Sequence, residues 1–210
     1  MKYVCMLLLL LTAWPAMATE KDNAKDSFVP LFDGKTLAGW EGNLKHFRVE
    51  KGAIVGGSLQ EKVPRNEFLC TKRRYGDFEL RLKVKLVGKG DNAGIQFRSE
   101  RIPKHHEVKG YQADMGGIWW GKLYDESRRR RVLAGVSDPA KLKQVLKMGD
   151  WNEYVIRCQG PHIQLWVNGV QTVDYTEKEK GIPRRGIIGL QIHGGAASEA
   201  SYKDIRIKEL

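Results

Sequence analysis

The clearest pattern in the chain runs over Asp77–Val87, where Phe78, Leu80, Leu82, Val84 and Leu86 alternate with Glu79, Arg81, Lys83 and Lys85. A period of two puts the apolar set on one face, so this stretch predicts a strand with one buried and one solvated side. Shorter runs predict strands over Phe47–Glu50, Ala53–Val55, Phe68–Thr71, Ala93–Ser99, Glu153–Cys158, Ile187–His193 and Tyr202–Lys208. His162–Val167 and Val170–Tyr175 flank Asn168-Gly169, the strongest short hairpin signal. A helix is suggested only around Pro139–Lys147, and no internal repeat is evident. Many short strands, glycine turns and little helix predict an all-β domain over residues 28–210, an antiparallel β-sandwich.

Parity then assigns faces. In Ala93–Arg98, the apolar Ala93, Ile95 and Phe97 oppose Gln96 and Arg98. In Ile187–His193, the aliphatic Ile188, Leu190 and Ile192 oppose Gln191 and His193. In Tyr111–Met115, Gln112 and Asp114 oppose Ala113 and Met115; in His162–Val167, Gln164 and Trp166 oppose Ile163, Leu165 and Val167. Every antiparallel sheet has a wet side, and alternation alone needs no more than that. The residue types go further. An ordinary wet face takes Lys and Glu, as Asp77–Val87 does, whereas these four strands carry amides, Asp, Arg, His and Trp. Such groups make directional or stacking contacts, and Gln96, Arg98, Gln112, Asp114, Gln191 and His193 are predicted to converge on one face. His193 is followed by Gly194-Gly195, which lets a backbone or ligand come close.

The segment Gly110–Leu133 concentrates the remaining chemistry: Asp114, Asp125 and Glu126, the tyrosines Tyr111 and Tyr124, the adjacent Trp119 and Trp120, and the run Arg128–Arg131. Gly110, Gly116, Gly117 and Gly121 interrupt any helix, so the prediction is a short strand, Tyr111–Met115, running into a long irregular loop. Loops of that length are usually functional. The C–H faces of a pyranose stack on aromatic rings and its hydroxyls bond to planar polar groups. The segment therefore predicts the rim of a sugar site, with Trp119, Trp120 and Tyr124 as stacking faces. The plainer alternative is a loop whose tryptophans plug the end of a core.

Charge and composition narrow the class. The chain is 41% hydrophobic, enough for a core, and carries a formal net charge of +11. That charge favours anionic surfaces or polymers, which makes an anionic polysaccharide a candidate partner and Arg128–Arg131 its candidate contact. No nucleic-acid motif is present, which argues against that partner. Lys2, the apolar run Tyr3–Leu11 and Ala16-Met17-Ala18 read as a secretory signal peptide over residues 1–18. Its core is too short for a stable membrane anchor. The mature chain is expected to begin with a polar tail over residues 19–27 and to act outside the cytoplasm, in the periplasm or beyond. Outside the leader, Cys70 and Cys158 remain and read as two separate buried thiols. G-x-S-x-G, H-E-x-x-H, a phosphate-binding glycine loop and paired C-x-x-C are all absent, which argues against serine-hydrolase, zincin and nucleotide-dependent chemistry.

Eight segments in order complete the picture: F-V-P-L-F-D-G-K-T-L-A-G-W (Phe28–Trp40), F-R-V-E-K-G-A-I-V-G (Phe47–Gly56), Y-G-D-F-E-L-R-L-K-V (Tyr75–Val84), N-A-G-I-Q-F-R-S (Asn92–Ser99), G-Y-Q-A-D (Gly110–Asp114), W-N-E-Y (Trp151–Tyr154), W-V-N-G-V (Trp166–Val170) and I-G-L-Q-I-H-G-G (Ile188–Gly195). Together they resemble the DUF1080 family, the 3-keto-disaccharide hydrolase domain. The resemblance implies a concanavalin A-like jelly roll of the lectin and glucanase type, and action on 3-keto-glycosides. Gln112 stands where the family commonly has glutamate, which leaves Asp114 as the carboxylate of its strand.

A ketone at C3 acidifies the proton on C2, and the glycosidic oxygen on C1 then leaves by β-elimination; water added to the enone completes a hydrolysis. Such a site needs a base at C2, a stabiliser for the enolate oxygen and an acid for the leaving group. Asp114 or His193 is the candidate base, and Arg98, Gln191 or a bound divalent cation the candidate stabiliser. Gln96, Gln112, Trp119, Trp120, Tyr124, Glu126 and Gln191 are candidate substrate contacts. Direct displacement by two carboxylates, Asp114 with Asp125 or Glu126, is the rival mechanism. A divalent metal held by Asp114, His193 and Glu126 is open, since no ligand spacing demands one. A non-catalytic, lectin-like sugar-binding module is the alternative from another functional class.

Overall fold

A computed structural model describes residues 27–90 and 92–210. The leader read over residues 1–18, and all of the tail except Ser27, lie outside the described residues. In chain order the strands are β1 (Val29–Pro30), β2 (Trp40–Glu41), β3 (Phe47–Glu50), β4 (Ala53–Ser58), β5 (Glu67–Thr71), β6 (Phe78–Gly88), β7 (Ala93–Arg101) and β8 (Val108–Met115). A 3₁₀ turn at Gly117–Trp119 leads to β9 (Leu123–Glu126) and β10 (Arg131–Ala134). The helix α1 (Pro139–Val145) precedes β11 (Asn152–Gln159), β12 (His162–Val167), β13 (Val170–Thr176), β14 (Ile187–Ile192) and β15 (Ser198–Glu209).

These strands form two antiparallel sheets. An eight-stranded sheet runs β13-β12-β11-β6-β15-β4-β3, with β1 added on β15. A seven-stranded sheet runs β10-β9-β8-β7-β14-β5-β2. The predicted parity of β6 holds: Phe78, Leu80, Leu82, Val84 and Leu86 are buried in the core between the sheets, together with Ile95, Phe97, Ile188 and Leu190 from the other layer. Asn168 and Gly169 both take positive φ, 47° and 80°, the geometry of the two-residue turn that matches the twist of β12 and β13. Asp138 caps α1 by accepting from the Lys141 N–H at 2.9 Å. Cys70 and Cys158 are free and buried, one on each sheet and in separate apolar clusters. Burial pushes both thiols up to about 12.

Two features differ from the prediction. The long irregular loop expected after Met115 is largely regular, because β9 and β10 continue the sheet beyond β8. At four residues each, these strands are too short for a period of two to register. The second difference is in β7, where the register against β8 shifts between Phe97 and Glu100. Arg98 takes a positive φ of 46° there. This bulge turns Arg98 away from the face it should share with Gln96. Its side chain crosses to the other sheet instead. It donates to the Gly76 carbonyl at 2.9 Å, the Gly160 carbonyl at 2.7 Å and Asp77 Oδ1 at 2.7 Å.

Two tyrosines bridge the layers in the opposite direction. Tyr154 of β11 donates its hydroxyl to the Asp114 carbonyl at 2.6 Å and accepts from the Gly121 N–H at 2.9 Å. Tyr202 of β15 donates to the Gln191 carbonyl at 2.5 Å, with the Gly94 carbonyl at 3.2 Å. Both side chains are completely buried.

Arg98 is therefore a structural clamp whose removal strands two carbonyls and a partly buried carboxylate. Arg98→Met is expected to lower the free energy of unfolding by about 3 kcal/mol in urea titrations. Arg131→Met, at an exposed position, should stay within about 0.5 kcal/mol of the parent. Equal stability of the two variants would remove the clamp from the argument.

Candidate active site

The outer face of the seven-stranded sheet is built by residues that parity sets opposite its core. Register places Gly94 between Gln191 and Asp114, and Gln96 opposite Gln112, which in turn faces Tyr124. Glycine at position 94 leaves room for a neighbour to lie flat: a Cβ there would sit 2.6 Å from Cδ and Cγ of Gln112. A directional chain of hydrogen bonds results. Ser99 Oγ donates to Gln96 Oε1 at 2.8 Å, Gln96 Nε2 to Gln112 Oε1 at 2.6 Å, and Gln112 Nε2 to Asp114 Oδ1 at 2.7 Å. The chain fixes one carboxylate oxygen of Asp114 and leaves Oδ2 buried with no protein partner.

Glu126 joins the same face from β9. Gln191 Nε2 donates to its Oε2 at 3.3 Å, while Gln191 Oε1 is left unpartnered. Burial raises Asp114 to about 7 against the hydrogen bond from Gln112, and the charge of Glu126 pushes the same way. Burial likewise raises Glu126 to about 7, helped by the nearby Glu107 carboxylate. Two carboxyls of one cleft are thus poised near neutrality.

Both acids line a cleft of about 160 Å³ with Gln112, Asn66, Asn92, Trp119, Tyr124 and His193. Trp119 and Tyr124 meet edge to face, with centroids 6.2 Å apart, and the Lys122 ammonium lies 5.2 Å from the centre of the Trp119 ring. His193 Nδ1 lies 2.6 Å from the Gly194 carbonyl. A carbonyl can only accept, so Nδ1 carries a proton, and in the neutral ring Nε2 is then the nitrogen with the lone pair. Asn66 Oδ1 receives the Gly194 N–H at 2.9 Å and ties this turn in place.

The structure thus brings together Gln112, Asp114, Trp119, Tyr124, Glu126 and His193 in the cleft, with Gln191 bonded to Glu126. Gln96 lies beneath this layer, fully buried, and acts on Asp114 through Gln112. Arg98 is not brought to the cleft, for the reason given by the bulge. Trp120 is not on the rim either. It is buried against Tyr154, with centroids 6.4 Å apart, and plugs the core. Gln164 and Trp166 belong to the eight-stranded sheet. Asp125 is fully buried and paired with Arg128 at 2.9 Å and with Arg129; it is no partner for Asp114. Arg129 also pairs with Glu177 at 2.6 Å and Glu179 at 3.0 Å, so half of the arginine run is already neutralised. Among the described residues, no group of three or more His, Cys, Asp or Glu side chains is arranged to hold a metal ion. Asn66 and Glu107 had no sequence signal, since they lie in connections where no periodicity assigns a face, and Asn92 stood out only as the first residue of N-A-G-I-Q-F-R-S.

The sequence profile of the 3-keto-alpha-glucoside-1,2-lyase-like domain matches residues 27–208. A 3-keto-disaccharide hydrolase of Bacteroides thetaiotaomicron is 23% identical to this chain over 88% of its length and 79% of the relative's. Among solved structures, a candidate glycosyl hydrolase from Parabacteroides distasonis superposes with a TM-score of 0.67 at 21% identity, covering 92% of this chain and 98% of that one. The carbohydrate-binding module CBM66 from Bacillus subtilis gives 0.57 at 14% identity, over 81% and 96% of the two chains. At these identities the solved structures speak for the fold.

The raised carboxyls have a thermodynamic signature. The folded state binds their protons more tightly than the unfolded chain, so their contribution to stability is largest below about pH 4 and is lost as pH rises to about 7. Asp114→Asn removes its share of this cost. The variant is expected to be more stable than the parent by on the order of 3 kcal/mol at pH 8, with the gap closing towards pH 4 in denaturant titrations. A pH-independent difference would mean that Asp114 is not desolvated in the folded protein.

Proposed function

The chain belongs to the family of 3-keto-alpha-glucoside-1,2-lyase-like domains, and we propose that it cleaves the C1–O bond of 3-keto-glycosides by elimination and hydration. The observation that carries this reading is the pair Asp114 and Glu126, both near 7 on one face of one cleft, beside an aromatic wall. Near neutral pH such a pair offers one carboxylate and one carboxylic acid, the combination an elimination needs.

The sugar ring stacks on Trp119, and the C2 proton faces Asp114. Asp114 takes that proton through Oδ2, while the chain through Gln112 and Gln96 holds Oδ1 still. The resulting enolate is stabilised at O3 by amide donors of the cleft, of which Asn92 and Asn66 are the nearest in kind. Collapse of the enolate breaks the C1–O bond as Glu126 gives its proton to the departing oxygen. The product is a C1–C2 enone. Water then adds at C1, losing a proton to the Glu126 carboxylate, and Asp114 returns its proton to C2. Both acids end as they began, and the sum is hydrolysis. His193 Nε2 is the second base within the cleft. The leader read over residues 1–18 sets this reaction outside the cytoplasm.

The test follows cleavage of an aryl 3-keto-glucoside in D₂O together with exchange at C2. Asp114→Asn is expected to lose about 10²–10⁴-fold in kcat and to lose exchange at C2. Glu126→Gln should keep exchange but slow bond cleavage, least for aryl groups that leave without a proton. Activity should peak near neutral pH and fall on either side. If His193→Gln abolishes exchange while Asp114→Asn does not, the base is His193. Sugar binding with neither exchange nor cleavage would overturn the enzyme and leave a sugar-binding module.

A further inference from the structure

Beyond the cleft, the same outer face continues into an open groove of about 740 Å³ around Arg65, Phe68, Arg101, Lys104, His105 and His106. Asn66 links the two: its side chain lines the cleft, and its carbonyl receives the Nδ1–H of His106, which lines the groove, at 3.0 Å. Arg65 precedes Asn66 and packs its backbone against Gly194, where a Cβ would lie 2.5 Å from Arg65 Cα. A molecule occupying the cleft therefore has an immediate neighbouring space, joined to it through residues that already shape the site.

The chemistry of this groove is one-sided. Its lining holds three fixed cations, Arg65, Arg101 and Lys104, against one carboxylate, Glu67. Arg101 is occupied by Glu41, at 3.0 Å to the carboxylate and 2.5 Å to the carbonyl. Arg65 is not used up. Its Nε meets Glu67 at 3.2 Å, the side chain stays 56% exposed, and its two terminal nitrogens make no bond among the described residues. Lys104 has no ion-pair partner among the described residues. His105 accepts the Glu107 N–H at Nδ1, 3.1 Å away, so its proton sits on Nε2, which is a donor. Donors thus surround an apolar floor, Phe68, that is itself almost fully buried. The arginine run at residues 128–131 lacks this arrangement, since Arg128 and Arg129 are largely buried against Asp125, Glu177 and Glu179.

We propose that this groove is a second subsite, which receives an anionic group, a carboxylate or a sulfate, carried by the part of the substrate outside the keto-sugar ring. The proposal rests on the reading of the cleft as a sugar site and narrows the substrate class to acidic glycosides. A planar anion suits the paired nitrogens of Arg65, and Lys104 adds a point charge without fixed geometry.

The test separates binding from turnover. Unoxidised glucosides lack the C3 ketone and cannot eliminate, so their dissociation constants report the groove whether or not the enzyme reading stands. The 4-carboxyphenyl and 4-sulfophenyl glucosides are compared with the neutral 4-carbamoylphenyl glucoside by calorimetric titration at low salt. An anionic ligand is expected to bind about tenfold more tightly than the neutral one. This advantage should shrink as salt is raised. It should vanish in the double variant Arg65→Gln/Lys104→Gln, where the ratio of the two constants cancels any general change in affinity. Replacing the exposed Arg131 with Gln should leave the ratio intact. Equal binding of charged and neutral ligands, or a preference that survives the double substitution, would overturn the proposal. Loss of turnover on 3-keto substrates would count against the reaction alone.

Discussion

The hydroxyl of Tyr154 crosses the sandwich to the Asp114 carbonyl, and the hydroxyl of Tyr202 crosses to that of Gln191. Everything at the cleft depends on these two reaches. A strand normally fixes its backbone by its neighbours within the sheet, but β8 and β14 must also carry polar side chains that are nearly cut off from water. Buried carbonyls need partners, and an apolar core offers few. By supplying hydroxyls from the opposite sheet, the two tyrosines brace the backbone directly beneath Asp114 and Gln191 while still filling the core with their rings. The face that carries the cleft is thereby held from behind, out of reach of anything that enters the cleft.

On the exposed side the same economy continues with amides. Gln96 and Gln112 pass hydrogen bonds sideways to Asp114, and Gly94 supplies the space in which Gln112 lies. Amides orient without adding charge, so the bond from Gln112 offsets only part of the rise that burial causes and Glu126 reinforces. A lysine in the place of Gln112 would have held Asp114 just as firmly and kept it ionised. The cost of this choice is a carboxyl that weakens the fold as it ionises.

Much of this was legible from the sequence because a period of two survives wherever a strand is long and unbroken. The eleven residues of β6 and the even spacing of Gln112 and Asp114 are of that kind. Parity failed at Arg98, where a single additional residue in β7 reverses every later assignment, and no feature of N-A-G-I-Q-F-R-S announces the bulge. It was silent for β9, so Asp125 and Glu126 looked interchangeable although one faces the core and the other the cleft. Trp119 and Trp120 show the same limit. They are adjacent in sequence, yet the 3₁₀ turn sends one ring to the cleft and the other to Tyr154. The residues that separate the cleft from the neighbouring groove lie in loops, where position is decided by contacts far away in the chain.

The two thiols have a consequence for how the protein meets oxidants. With both groups pushed up to about 12 by burial, only on the order of one molecule in 10⁵ carries a thiolate at either position at pH 7. Cys158 is sealed between the sheets and Cys70 in a different apolar cluster, so neither can find the other or a small-molecule disulfide without the fold opening. Oxidation then proceeds only as fast as local opening allows, and the sulfur chemistry of this chain becomes a clock for its breathing motions.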